Sequence, residues 1–95
     1  MDVAFSGEVW EWRGPSPYYF VTVPEEQSAL LRVLSVAVTY GWGMIPVAAR
    51  IGATDWTTSL FAKDGGYVVP LKVAIRKAER FGLGDSVNVR LVVTL

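Results

Sequence analysis

Aromatic side chains and isolated cations are concentrated between residues 40 and 67. Tyr40, Trp42 and Trp56 offer flat apolar rings, and Arg50 and Lys63 lie between or close after them in the sequence. Rings of this kind and arginine dominate binding hot spots, because they combine a large apolar area with a polar group. The combination predicts a site without catalytic residues that holds a small organic anion or a peptide, with stacking rings and neutralising cations.

A second group near the N-terminus could extend this site. Trp12 ends an alternating segment, and Arg13 follows it directly in a turn rich in glycine and proline. A cation beside a tryptophan can hold an anion or stack on the ring. The predicted ligand-binding residues are therefore Tyr40, Trp42, Arg50, Trp56, Lys63, Arg13 and Trp12.

Several of these residues also have a purely structural interpretation. The tryptophans could pack in a core or against a helix, and the glycines around Trp42 could cap a helix and form a bulge. Arg50 could point outward and form a salt bridge with Asp55 across the turn at Gly52. Both interpretations remain open from the sequence.

The composition argues against several kinds of chemistry. The chain of 95 residues contains no cysteine and no histidine. Disulfides, thiolate nucleophiles, Cys or His zinc sites and Ser-His pairs are therefore excluded. The carboxylates are scattered, and no pair of them is spaced for acid–base work. We predict no catalytic residues, no metal site and no cofactor; an enzyme of unidentified reaction is the weakest of the hypotheses.

The charge of the chain limits which kinds of partner it is expected to bind. Nine basic and nine acidic side chains give a net charge of zero, which argues against nucleic acid because binding its backbone favours an excess of cations. Lys72, Arg76 and Arg80 are spaced as a basic helix stripe, but a solvated face is the simpler interpretation. Self-association through an exposed aromatic patch is the main alternative to ligand binding, so a monomer and a homodimer both remain open.

The sequence predicts a cytoplasmic location and no membrane contact. The N-terminal residues lack a basic stretch followed by a long apolar run, so no signal peptide is expected. The longest uncharged stretch, residues 33–49, is broken by two glycines and a proline. It is too short and too interrupted to span a bilayer.

Alternating apolar residues and turn signals indicate the elements that must position the site. They predict strands over residues 2–12, 18–23, 44–51, 53–62, 67–69 and 86–94. A first helix begins at Pro24, with an apolar stripe of Leu30, Val33, Leu34 and Ala37, and a second helix spans residues 71–80. Asp64 and Gly65 are typical of a tight hairpin turn.

The order strand, strand, helix, three strands, helix, strand predicts a mainly β fold. Six strands in so short a chain favour a small closed or half-closed β-barrel with two short helices, since closure removes exposed edges. Residues 1–95 are expected to form a single domain, with the binding site at the mouth of the barrel. An open α+β sheet is the alternative architecture.

Several longer motifs resemble one small bacterial family. They are Phe5-Ser6-Gly7-Glu8-Val9-Trp10, Tyr40-Gly41-Trp42-Gly43-Met44-Ile45-Pro46-Val47, Trp56-x-Thr58-Ser59-Leu60-Phe61-x-Lys63-Asp64-Gly65-Gly66-Tyr67 and Pro70-Leu71-Lys72 with Gly84-Asp85-x-Val87-x-Val89. Together they resemble the domain of unknown function 1905 over nearly the whole chain. The resemblance implies a small β-barrel with a helix or two. It implies no activity and no catalytic residues.

Overall fold

A computed structural model describes residues 1–15, 17–38 and 43–93. Six strands and two helices follow one another in the order predicted from the sequence. Their bounds are β1 Asp2–Trp12, β2 Tyr18–Thr22, α1 Glu25–Val38, β3 Ile45–Ile51, β4 Thr54–Lys63, β5 Gly66–Leu71, α2 Val73–Glu79 and β6 Ser86–Val92.

The strands form a closed antiparallel barrel in the order β1-β2-β5-β4-β3-β6. Two long strands, β1 and β4, pair with one neighbour along their first part and with the other neighbour along their last part. Asp2–Glu8 of β1 pair with β6, and the last four residues of the strand pair with β2. In the same way β4 pairs with β3 over Thr54–Leu60 and with β5 over Phe61–Lys63. The closed barrel is confirmed, and the open sheet is not observed.

The apolar residues that alternate along the strands fill the barrel. Because successive side chains of a strand point to opposite faces, every second residue faces inward. Buried and exposed residues alternate in β3 from Ile45 to Ile51 and in β6 from Val87 to Leu91. Burying these side chains supplies the main stabilisation of the fold.

The two helices close opposite ends of the barrel. The chain enters α1 from the end of β2 and leaves it toward the start of β3, whereas α2 links the end of β5 to the start of β6. Ile75 is the buried residue of α2. Within the described ranges, neither helix is long and apolar enough to cross a membrane.

The buried face of α1 differs from the predicted stripe. Leu31 and Ser28 are fully buried, and Leu34 is half-buried. Leu30 and Val33 were predicted to face the core but are 48% and 78% exposed. The Ser28 hydroxyl donates a hydrogen bond to the Val23 carbonyl at 3.1 Å, which allows a polar residue to occupy the buried face.

The boundary between β5 and α2 was also predicted wrongly. Pro70 was expected to end a short strand, but it pairs with Phe20 inside β5, and Leu71 belongs to the strand rather than to the helix. Proline lacks the N–H that a ladder needs. It is tolerated here because the pairing of β5 with β4 reaches only Val68, which leaves Pro70 with a single partner strand.

Gly7 occupies a crowded position inside the barrel, next to the point where β1 changes partners. A Cβ at this position would lie 2.6 Å from Cγ2 of Val21. We expect Gly7→Ala to lower the free energy of unfolding by about 1–3 kcal/mol, the usual cost of overpacking. Urea unfolding followed by circular dichroism measures the change.

Gly82→Ala is the matched control, because no atom lies within 4 Å of a Cβ built on Gly82. The same substitution in open space should leave stability unchanged or raise it slightly. Equal stabilities for the two variants would show that the barrel interior has room for another methyl group at Gly7.

Candidate functional site

A wide apolar groove of about 650 Å³ lies on the outer wall of the barrel. It follows the second half of β1, then β2, β5 and the end of β4. We call it the aromatic groove. Its lining residues are Trp10, Trp12, Tyr18, Phe20, Met44, Thr58, Ser59, Phe61, Ala62, Lys63, Val68 and Pro70.

Strand alternation and register place the rings of the aromatic groove side by side. Inward-facing Val9 is followed by outward-facing Trp10, which lies opposite Phe20 on β2; Phe20 in turn lies opposite Pro70 on β5. Trp12 and Tyr18 form the next row. Directly opposite residues of antiparallel strands have Cβ atoms about 4.5–5.5 Å apart, so their side chains make contact.

Phe20 is the centre of this outer cluster. Its ring centroid lies 5.2 Å from that of Trp10, 5.5 Å from that of Tyr18 and 6.2 Å from that of Phe61. All three pairs are tilted, within the range of favourable aromatic contacts. Trp10 is fixed further because its indole Nε1 donates to Oγ1 of Thr22 at 2.9 Å. These contacts hold the floor of the groove in one arrangement.

Lys63 supplies the positive charge of the aromatic groove. It ends β4, just before a tight turn in which Asp64 and Gly65 have φ values of 51° and 79°, as the sequence predicted. Its ammonium lies 5.5 Å from the Trp10 ring centroid and 2.8 Å from the Asp64 carboxylate. Both partners of the ion pair are exposed, so the pair is weak and an incoming anion can compete with Asp64.

Two of the predicted binding residues, Trp12 and Lys63, lie in this groove. Trp12 is 49% exposed, which leaves a large part of its ring open to a ligand. Their binding role stays a prediction. The groove itself lies on the barrel wall, whereas the site was expected at the barrel mouth.

Three other predicted residues lie elsewhere. Trp56 packs against the barrel core, and its buried Nε1 has no hydrogen-bond partner among the described residues. Arg50 points outward from β3 and pairs with Asp55 at 3.1 Å, which is the structural interpretation considered for it. Arg13 follows β1 and pairs with Glu11 at 3.3 Å, outside the groove lining. The expected convergence of Arg50 and Trp56 with Trp12 is not observed.

The remaining two predicted residues, Tyr40 and Trp42, lie outside the described residues. They stay predictions. Met44, which follows them closely in the sequence, lines the aromatic groove.

Sequence reasoning missed most of the groove. Trp10, Tyr18, Phe20 and Phe61 were not among the predicted binding residues. A usable signal was present, since Trp10 and Trp12 share the strand face opposite the core residues, and Tyr18 and Phe20 are likewise two apart. Their meeting with Phe61 needed the strand order, because β4 reaches this wall only through β5.

The basic stripe predicted for the second helix is interrupted. Lys72 and Arg80 are the capping residues of α2 and lie outside its helical span. The guanidinium carbon of Arg76 lies 3.7 Å from the Tyr19 ring centroid, so this cation is engaged in a cation–π contact. In residues 1–15, 17–38 and 43–93, no three His, Cys, Asp or Glu side chains are grouped closely enough to hold a metal ion.

Comparison with models of known protein families shows what the chain is similar to. A family model described as a domain of unknown function (DUF1905) matches residues 5–91, nearly the whole chain. No curated protein matches the chain. The matched span contains the entire aromatic groove.

Proposed function

The chain belongs to the family described as a domain of unknown function (DUF1905), and we propose that it is a non-catalytic binding module for a small planar organic anion. The observation that carries the proposal is the aromatic groove, an apolar concavity of about 650 Å³ with one ammonium group at its edge. Sites for small molecules are concave, mostly apolar and supplied with a few polar groups that orient the ligand.

The exposed rings favour a planar ligand. Trp12, Tyr18 and Phe61 each keep more than a third of their surface exposed although they surround a packed floor. A flat apolar ligand could stack on these rings and cover them together. Such contacts contribute about 0.5–1.5 kcal/mol each beyond the burial of area.

The charge at the groove favours an anion. Lys63 is the cation in the groove lining, and its partner Asp64 is not part of that lining. A carboxylate placed beside Lys63 would replace the weak contact with Asp64, while the ring system of the ligand lies over Trp10 and Trp12. The proposed ligand is therefore an aromatic carboxylate or a molecule of similar shape and charge.

Titration with 2-naphthoate tests this proposal, with backbone amide shifts recorded by NMR. We expect saturable shifts confined to the groove strands. Trp12→Ala should weaken binding about 2–12-fold, the equivalent of one aromatic contact. No saturable shift, or shifts spread over the whole barrel, would contradict the proposal.

The anion preference is tested separately with Lys63→Gln. This variant should weaken 2-naphthoate about 2–5-fold, the range of an exposed ion pair, and leave the neutral analogue 2-naphthylmethanol unaffected. Arg13→Gln is the matched control, since it removes one positive charge from outside the groove lining. Equal losses for both ligands would show that Lys63 does not select an anion. An apolar peptide that binds equally well with and without Lys63 would support the peptide alternative instead.

Self-association, the second candidate, is favoured by a different observation. Leu30, Val33 and Val36 form an exposed apolar row on α1, and Val36 is 92% exposed. Contiguous apolar side chains on a surface are typical of interaction sites. Light scattering at the protein concentrations used in the titration distinguishes the two candidates. A dimer that dissociates on Val33→Glu would support self-association through α1. A monomer at all concentrations would contradict self-association.

A further inference from the structure

Two arginines face each other on the barrel wall opposite the aromatic groove. Arg50 on β3 and Arg90 on β6 are directly paired across the two strands, and both side chains are exposed. Like charges in this arrangement repel one another and destabilise a sheet. Each arginine contacts one acidic residue on a strand flanking the pair: Asp2 on β1 contacts Arg90 at 3.2 Å, and Asp55 on β4 contacts Arg50 at 3.1 Å.

The donors of these two arginines exceed the acceptors around them. Arg50 uses Nε for the Gly52 carbonyl and Nη1 for Asp55. Arg90 uses only Nε, toward Asp2. Within the described part of the chain, Nη2 of Arg50 and both terminal nitrogens of Arg90 therefore have no partner. A guanidinium has five N–H donors and no acceptor, so the unused donors of both groups can serve a single acceptor ligand.

A third donor group opens onto the same surface. The Ser6 hydroxyl donates to Oδ1 of Asn88 at 2.5 Å, which fixes the Asn88 amide so that its two N–H donors remain without a partner in residues 1–15, 17–38 and 43–93. Asn88, Arg50 and Arg90 line one depression of about 450 Å³. The rest of its lining consists of the small residues Ala4, Ser6 and Gly52 together with Phe5 and Val89. The depression thus combines donors from β3 and β6 with room for a small ligand.

From this geometry we infer that the barrel wall formed by β1, β6 and β3 binds a phosphate group between Arg50 and Arg90, with the Asn88 amide as an additional donor. A phosphate is an acceptor-only ligand whose oxygens fit the planar fork of arginine. Its charge would also relieve the repulsion across the Arg50–Arg90 pair. The site is separate from the aromatic groove and does not depend on the function proposed for that groove.

Inorganic phosphate and methyl phosphate are the probes, titrated at constant ionic strength with NMR detection of backbone amides and arginine Nε–H groups. We expect saturable shifts around Asn88 and Arg90 with a dissociation constant on the order of 1 mM. Binding of both probes would indicate a phosphomonoester or free phosphate as ligand, and binding of inorganic phosphate alone would indicate the free ion.

Arg90→Gln should weaken phosphate binding about tenfold, the equivalent of one hydrogen bond to a charged group. Arg13→Gln is the matched control, because Arg13 is also an exposed arginine paired with an acid and changes the net charge equally. The dispersion of the NMR spectrum shows that each variant is folded, and Arg50→Lys provides a second variant that keeps the charge but loses the fork. Equal weakening by Arg13→Gln and Arg90→Gln, or no saturable shift, would overturn the inference. Arg90→Gln should still bind 2-naphthoate. A failure of the phosphate site can therefore be distinguished from a failure of the aromatic groove.

Discussion

Leu31→Ala is expected to lower the free energy of unfolding by about 2–5 kcal/mol, as is typical when a buried leucine is truncated. Leu31 is fully buried and belongs to the core cluster that fills the barrel. The side chain is the largest fully buried one that α1 contributes to this cluster among the described residues. Its loss leaves a cavity between the helix and the barrel end, where the surrounding strands cannot collapse freely.

Leu30→Ala is the matched control, because it makes the same chemical change one position earlier in the same helix. Leu30 is half exposed, so its truncation should cost well under 1 kcal/mol. Urea unfolding of both variants measures the difference. A Leu30 variant as unstable as the Leu31 variant would mean that α1 packs on the barrel through the face predicted from the sequence.

The contrast between these two leucines shows why the helix face could not be predicted. From Ala29 to Val38 the helix has apolar residues on all sides, interrupted only by Arg32 and Ser35. A period of 3.6 therefore does not single out one stripe. The buried face includes Ser28, a polar residue whose hydroxyl is satisfied by the Val23 carbonyl. That hydrogen bond depends on the geometry of the strand end before the helix, which hydropathy does not encode.

The strands were predictable for the opposite reason. In β6 the apolar and polar residues alternate from Val87 to Leu91, so type, face and approximate bounds follow from a period of two. In β3 buried and exposed residues alternate from Ile45 to Ile51, although the exposed positions include the apolar residues Pro46 and Ala48. The barrel followed from strand number and chain length. Only the ends were misplaced, as at Pro70, where proline normally interrupts a strand but here lies beyond the pairing of β5 with β4 and has β2 as its single partner strand.

The candidate site was only partly predictable because closeness along the chain is not closeness on a barrel. Arg50 and Lys63 are separated by a single hairpin in the sequence. Arg50 nevertheless lies on β3, in the wall opposite β2 and β5, whereas Lys63 ends β4 next to β5. Trp12 and Lys63 are far apart in the sequence, but the order β1-β2-β5-β4 brings them to one groove. Strand order arises from long-range pairing, which residue types and spacing near the site do not specify.

The largest effect expected on the outer wall is that of Phe20→Ala, which should destabilise the protein by about 3–5 kcal/mol. Phe20 points away from the barrel interior but is only 9% exposed, because the rings of Trp10, Tyr18 and Phe61 surround it. This outer cluster is thus a second apolar core on the other face of the sheet. Thermal and urea unfolding measure its contribution.

Two variants separate packing from the mere presence of an apolar residue on the wall. Phe20→Leu keeps most of the volume and should cost less than about 1.5 kcal/mol, while weakening 2-naphthoate binding because the groove floor loses its central ring. Val92→Ala truncates an apolar residue of the opposite wall that is 38% exposed, and should cost much less than Phe20→Ala. If Phe20→Ala cost no more than Val92→Ala, the rings would contribute no packed floor. A groove with a loose floor could not hold a planar ligand in one orientation, so this result would count against the aromatic groove as a binding site.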